Sequence, residues 1–252
     1  MIEIAILSLI QGITEFLPIS SSSHLIIISE FFSFENQSLS IDMSLHIGSF
    51  FAVFIYFRKD ILSFAKNKIL FFKIMISSLP ILVIGYLVIK FNLIDHLRNI
   101  KVIGWTTLIF GILLFLSDKF KLNKSINKNF TIKSAIYIGV FQVLSIIPGV
   151  SRSGITITAS RFLNFNRFDS TKISFLLSIP TLGAVTLFGF YNIINSDNIN
   201  FSLINIISII LSFIFSYLTI KYFLKFIKKF SFYVFIIYRI ILGLLILALG
   251  YL

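Results

Sequence analysis

Gln11-Gly12-Ile13-Thr14-Glu15-Phe16-Leu17-Pro18-Ile19-Ser20-Ser21-Ser22-Ser23-His24 interrupts an otherwise apolar run, residues 2–32. About 20 apolar residues suffice to cross the hydrocarbon core of a bilayer, so the run is long enough to span one. Pro18 denies it continuity, because proline lacks an N–H and clashes with the turn before it. The serines that follow are good helix starters, since their hydroxyl oxygens accept from free first-turn amides. The stretch therefore predicts a half-helix, a polar break and a second half-helix. Broken backbone at membrane depth is tolerated only where protein or a water-filled cavity covers its freed polar groups.

A second stretch, Pro148-Gly149-Val150-Ser151-Arg152-Ser153-Gly154-Ile155-Thr156, breaks residues 134–163 in the same way. The rest of the chain supplies six uninterrupted apolar spans, at 41–57, 70–89, 102–116, 171–190, 202–220 and 232–252. Basic residues cluster in the loops 58–68, 119–133, 161–172 and 221–229, whereas loop 191–200 carries only Asp197 and loop 90–101 is mixed, with Asp95, His96 and Arg98. With the basic loops placed inside and every full span crossing, each broken segment must begin and end on one side. The first begins and ends outside, the second inside. Both read as re-entrant hairpins.

The expected fold is thus an all-α polytopic membrane protein. It is an inverted repeat of two re-entrant hairpins plus six full transmembrane helices, in a single membrane domain over 1–252. Repeat one covers 1–117 and repeat two 134–252. The halves echo each other locally, in Gln11…Pro18-Ile19-Ser20-Ser21 and Gln142…Pro148-Gly149-Val150-Ser151. Inverted repeats of this kind bring half-helix ends to a site near the midplane.

Composition agrees. The chain is 57% hydrophobic and 13% charged, about half the roughly 25% charge of soluble domains, and its mean hydropathy is +0.99. The absence of cysteine excludes disulfides, thiolate metal sites and thiol nucleophiles. A net charge of +12 would suit nucleic acid, but the cations sit in short loops between apolar spans, so membrane and not nucleic acid is the partner. Glu3 stands where a cleaved signal would have basic residues.

The chemistry-bearing residues lie at the breaks. Gln11 and Glu15 share a helix face, and a carboxylate in an apolar segment costs about 2.5–3.5 kcal/mol on insertion scales. Glu15 is expected to face a polar cavity, a metal or a basic partner, with a purely structural ion pair as the alternative. His24 and Ser21 stand within a turn of that break. Arg152 is the sole basic residue between Lys133 and Arg161, and its planar fork matches phosphate oxygens. Ser151, Ser153 and Thr156 add hydroxyls to the first turn of a half-helix whose free amides favour anions. Gly149 and Gly154 permit close approach. Opposed tips would bring a metal ligand or base, a hydroxyl, a second base and an anion clamp together, a set suited to phosphoryl transfer. Asp42 and His46, four apart, read equally as a supporting pair or a local hydrogen bond. His96 reads as solvated, and Gln142 as an interhelical hydrogen-bonding group or the counterpart of Gln11.

The Gln11–Ser21 and Pro148–Gly154 stretches resemble the two signature motifs of the undecaprenyl pyrophosphate phosphatase (bacitracin-resistance) family. Asp42, His46-Ile47-Gly48-Ser49 and Ser174-Phe175-Leu176-Leu177-Ser178-Ile179-Pro180 resemble its secondary motifs, and the likeness covers essentially the whole chain. It implies hydrolysis of undecaprenyl diphosphate to the monophosphate carrier and inorganic phosphate, for peptidoglycan synthesis and bacitracin resistance. It also implies a divalent cation, Mg²⁺ or Ca²⁺, held by Glu15 and Gln11, and a bacterial cytoplasmic membrane with the site open to the outer face. Glu15, Ser21, His24 and Arg152 would be catalytic, and Ser151, Arg152, Ser153 and Thr156 would bind substrate phosphate. Gly149, Gly154, Asp42 and His46 would support them. A polyprenyl diphosphate lipid is the implied substrate, and the likeness admits a homodimer. Gln11 stands where many members carry a second glutamate, and Ser23 replaces a common glycine.

Two other classes compete. A transporter or lipid flippase shares the inverted-repeat plan but needs no base beside its anion clamp. A phosphatidic-acid-type phosphatase needs a further downstream histidine as nucleophile, and none follows His96.

Overall fold

The computed structural model describes the whole chain except residues 33, 35–37, 65–66, 92, 94–97, 120–122 and 196–202. His96, Asp95 and Asp197, and the first residue of the 202–220 span, lie outside the described residues. Twelve helices are described: α1 (Ile2–Thr14), α2 (Ser21–Phe32), α3 (Leu39–Tyr56), α4 (Arg58–Phe64), α5 (Lys68–Lys90), α6 (Ile100–Asp118), α7 (Ile126–Asn129), α8 (Ile132–Val143), α9 (Arg152–Phe162), α10 (Arg167–Asn195), α11 (Leu203–Ile227) and α12 (Tyr233–Tyr251). The only β-type pairing among them is one isolated bridge, Lys124 to Phe165.

Five helices (α5, α6, α10, α11 and α12) are long and apolar enough to cross a membrane. A sixth span exists if α3 and α4 count together, across a bend of 70°. The expected 41–57 span is α3, and it ends where that bend falls. Several spans outrun their expected limits. The Lys221–Lys229 loop is mostly the last turns of α11, because long basic side chains let a helix continue while their charges reach water. Asparagine, serine and threonine side chains start the helices: Ser38 accepts from Ile41 N–H, Asn67 from Leu70, Asn99 from Lys101 and Thr131 from Ser134.

Both breaks have the predicted anatomy. In the first, Glu15 closes α1 by donating its N–H to Gln11 at 3.0 Å. The chain then turns through Pro18, and Ser20 adopts φ 75° before α2 begins. In the second, α8 tightens into a 3-10 turn, Leu144–Ile146, and passes Gly149 at φ 94° and Ser151 at φ 72° before α9 begins. Ser151 Oγ accepts from Gly154 N–H at 3.1 Å. A side chain at Gly149 would be strained by that φ and would strike Thr106 and the Ile103 carbonyl.

The packing exchanges elements between the halves. Helix α1 lies against α11, and α8 lies against α5; α3 packs on α10 and α11, and α6 on α12. Hydroxyl groups hold the α3–α11 seam: Ser49 Oγ lies 3.0 Å from Ser216 Oγ, and Ser212 donates to the Leu45 carbonyl at 2.6 Å. Outward faces carry exposed apolar residues such as Phe72, Val83 and Leu245, as lipid contact requires.

Candidate active site

The two break tips touch. Arg152 Nη2 donates to Glu15 Oε1 at 2.7 Å, and Ser153 Oγ donates to the Leu17 carbonyl at 2.7 Å. Arg239 of α12 fastens them from behind. Its Nη1 donates to the carbonyls of Pro18 (3.2 Å) and Val150 (3.1 Å), its Nη2 to Gly149 (2.8 Å), and its Nε to Thr107 (3.2 Å). One fully buried guanidinium thus satisfies carbonyls that both breaks free from helical bonding.

In front of the tips lies a cavity of about 220 Å³, lined by Glu15, Ser21, His46, Ser151, Arg152 and Thr181 among others. It has room for a small anionic headgroup but not for a long hydrocarbon chain. Position by position, the two hairpins contribute alike: Thr14, Ser20 and Ser21 from the first, Ser145, Ser151 and Arg152 from the second. Each of these stands at the same spacing from Gln11 as its counterpart does from Gln142.

Glu15, 7% exposed, is the hub. Its Oε1 takes Arg152, and its Oε2 accepts from Ser21 Oγ at 2.7 Å and from Gln11 Nε2 at 3.0 Å. Gln11 Nε2 also lies 3.0 Å from His46 Nδ1. Gln11 Oε1 is buried without a hydrogen-bond partner among the described residues. Arg152 also donates through Nη1 to the Ser174 carbonyl at 3.2 Å, which leaves three of its five N–H donors for a ligand. A buried pair of this kind costs about 3–5 kcal/mol to break from one side, because the remaining charge is uncompensated.

The remaining expected residues divide. Ser151 lines the cavity. Ser153 and Thr156 do not, for their hydroxyls are committed inward, Ser153 to Leu17 and Thr156 to the Arg152 carbonyl and to Ser174 Oγ, each at 2.8 Å. His24 turns away from Ser21: Nδ1 donates to the Ser20 carbonyl and Nε2 accepts from Tyr238 O–H, both at 2.6 Å. His46 bonds to Gln11, while Asp42 lies in the first turn of α3 and does not line the cavity. Gly154 leaves space for Arg239, whose Nη1 would lie 2.8 Å from an added Cβ. No three His, Cys, Asp or Glu side chains cluster among the described residues. Arg239, Tyr238 and Ser145 are not singled out by the sequence, and Ser174 enters there only as part of a secondary motif. Arg239 carried a usable signal, as a lone charge inside an apolar span.

The family model described as "Bacitracin resistance protein BacA" matches residues 4–245. The chain is 50% identical to the undecaprenyl-diphosphatase of Pelagibacter ubique over 251 residues, covering 99% of this chain and 98% of that protein. It is 42% identical to the undecaprenyl-diphosphatase of Saccharophagus degradans, covering 94% and 93%, and 39% identical to that of Hahella chejuensis, covering 96% and 95%. With the family model spanning nearly its whole length, the chain belongs to the BacA bacitracin resistance family.

Proposed function

We propose that this chain hydrolyses undecaprenyl diphosphate to undecaprenyl phosphate and inorganic phosphate, recycling the carrier for peptidoglycan synthesis and so conferring bacitracin resistance. The observation that carries the reading is the Glu15–Arg152 pair at 2.7 Å with Ser21 on the same carboxylate, beside a cavity sized for a headgroup. The relatives' names supply the substrate.

In the mechanism we favour, Arg152 and the first amides of α9 receive the diphosphate, whose tail stays in lipid. Ser21 Oγ attacks the terminal phosphorus and its proton passes to Glu15 Oε2, already its acceptor. The bond from phosphorus to the bridging oxygen breaks, and the polyprenyl monophosphate leaves. Water then cleaves the phosphoserine, releasing phosphate and restoring the hydroxyl. Direct attack by water is the alternative route, and a trapped phosphoserine separates the two. His24, held by Ser20 and Tyr238, orders the start of α2 in this scheme.

A divalent cation fits as a guest shared with substrate. Mg²⁺ binds through one or two carboxylates plus substrate phosphates, and Glu15 supplies the carboxylate. The partnerless Gln11 Oε1 is the supporting feature, since a turn of that amide would offer an oxygen beside Glu15; amide orientation follows its neighbours. The cation would offset phosphate charge. We further infer that the matched hairpins and exchanged packing reflect an inverted repeat in the bacterial cytoplasmic membrane, with the cavity opening to the outer face.

The test is phosphate release by purified protein in detergent, from a polyprenyl diphosphate, with Mg²⁺ or Ca²⁺ and with chelator. Cation-dependent release is expected. Lipid movement between leaflets of reconstituted vesicles without any release would replace this reading by the flippase.

A further inference from the structure

A second cavity, of about 750 Å³, opens where the C-terminal ends of α6, α9 and α11 meet the start of α10. Helix α9 runs from Arg152 in the first cavity to Arg161 in this one, a separation of about 13.5 Å at 1.5 Å per residue. The two are distinct chambers at different depths.

Five cations line the second cavity: Lys119, Arg161, Arg167, Lys228 and Lys229. One carboxylate, Asp118, lines it too, and its oxygens are occupied. Oδ1 takes Arg167 Nε at 2.7 Å and Arg161 Nη2 at 3.4 Å; Oδ2 takes Arg167 Nη2 at 3.1 Å and Phe232 N–H at 3.3 Å. The three lysines have no carboxylate within ion-pair distance among the described residues. Lys119 lies instead over the Phe115 ring at 4.5 Å and Lys228 over Phe168 at 4.8 Å. A solvated basic face would spread such charges apart. Here they converge on a concave space whose floor, Arg161 and Asp118, is buried. An anion held between them would offset their mutual repulsion.

We propose that this cavity binds a phosphate group, carried by the headgroup of an anionic phospholipid. The wall carries Phe168 and exposed Phe230, at the ends of membrane-crossing helices, which is the height at which lipid phosphates lie. Basic pockets between transmembrane helices are the usual setting for anionic headgroups. Free inorganic phosphate offers the same oxygens without a tail.

The experiment uses the full chain in zwitterionic detergent, titrated with phosphatidylglycerol and read by native mass spectrometry. The wild type is expected to retain one phosphatidylglycerol saturably, and the Lys228→Gln/Lys229→Gln double variant to bind it roughly thirtyfold more weakly, with phosphate release from substrate unchanged. Lys119→Gln is the second variant should the double variant fail to fold. Excess inorganic phosphate is expected not to displace the lipid; displacement would assign the cavity to free phosphate and overturn the headgroup. Equal retention of phosphatidylglycerol by wild type and folded variant would overturn the site altogether.

Discussion

Replacing Arg239 by methionine keeps the length and apolar stem of the side chain but removes four donated hydrogen bonds. Thr107 belongs to a helix and keeps its own bonding, so the loss falls on the carbonyls of Pro18, Gly149 and Val150. Each buried acceptor left unsatisfied costs about 1–3 kcal/mol. Against this stands the relief of burying no guanidinium, several kcal/mol in the opposite direction. The difference comes to about 2–4 kcal/mol of lost stability, or on the order of 5–15 °C in unfolding temperature for a chain of this size. Activity should respond more sharply. Arg239 reaches both breaks, so its removal frees the first tip to shift against the second, and a displacement of about 1 Å between reacting groups costs roughly 100-fold. Phosphate release and thermal unfolding in the same detergent measure the two effects, at a temperature where the variant remains folded. A variant with wild-type turnover would show that the tips hold register without Arg239, and the reasoning here would fail.

Arg152→Lys should lower turnover about 100-fold or more, because a point charge cannot reach Glu15, the Ser174 carbonyl and a phosphate together; near-normal turnover of the purified variant would remove its role as clamp. Ser21→Ala should abolish turnover and the trapped phosphoenzyme alike on the covalent route, whereas residual turnover with water as nucleophile would appear as phosphate release without a phosphoserine in wild type. Gly149→Ala should destabilise the chain by about 2 kcal/mol or more, since φ 94° is strained for alanine and the added methyl meets Thr106 and Ile103; an unchanged unfolding temperature would contradict that.

The helices and breaks were legible because proline, serine and charge punctuate apolar runs with few alternatives. Pro18 and Pro148 placed both breaks, and Glu15, Ser21 and Arg152, which the structure brings into contact, stood out because each is polar where polarity is costly. What the sequence could not supply was direction. Ser153 and Thr156 are one helical turn apart and look like anion ligands, yet hydroxyls on a first turn bond backwards to carbonyls as readily as forwards to a ligand. His24 sits near the break in sequence, but α2 rotates it toward Tyr238, a contact 214 residues away along the chain. His46 enters the site through Gln11 because α3 packs beside α1, which no local pattern encodes. Arg239, a lone charge within an apolar span, has the same standing in the sequence as Glu15.

The cavity is nearly symmetric in its lining and asymmetric in its chemistry, and one position accounts for this. Ile146 stands to Gln142 as Glu15 stands to Gln11. Both side-chain atoms of Gln142 are accordingly buried without a partner among the described residues, whereas Gln11 has a carboxylate to donate to. Ser21 and Arg152 occupy matching places on the two hairpins, and both bond to Glu15. The second hairpin has no carboxylate of its own to offer Arg152, whose guanidinium reaches across to Glu15 instead. The one carboxylate at the breaks therefore joins the two hairpins, taking a hydroxyl from its own and a guanidinium from the other.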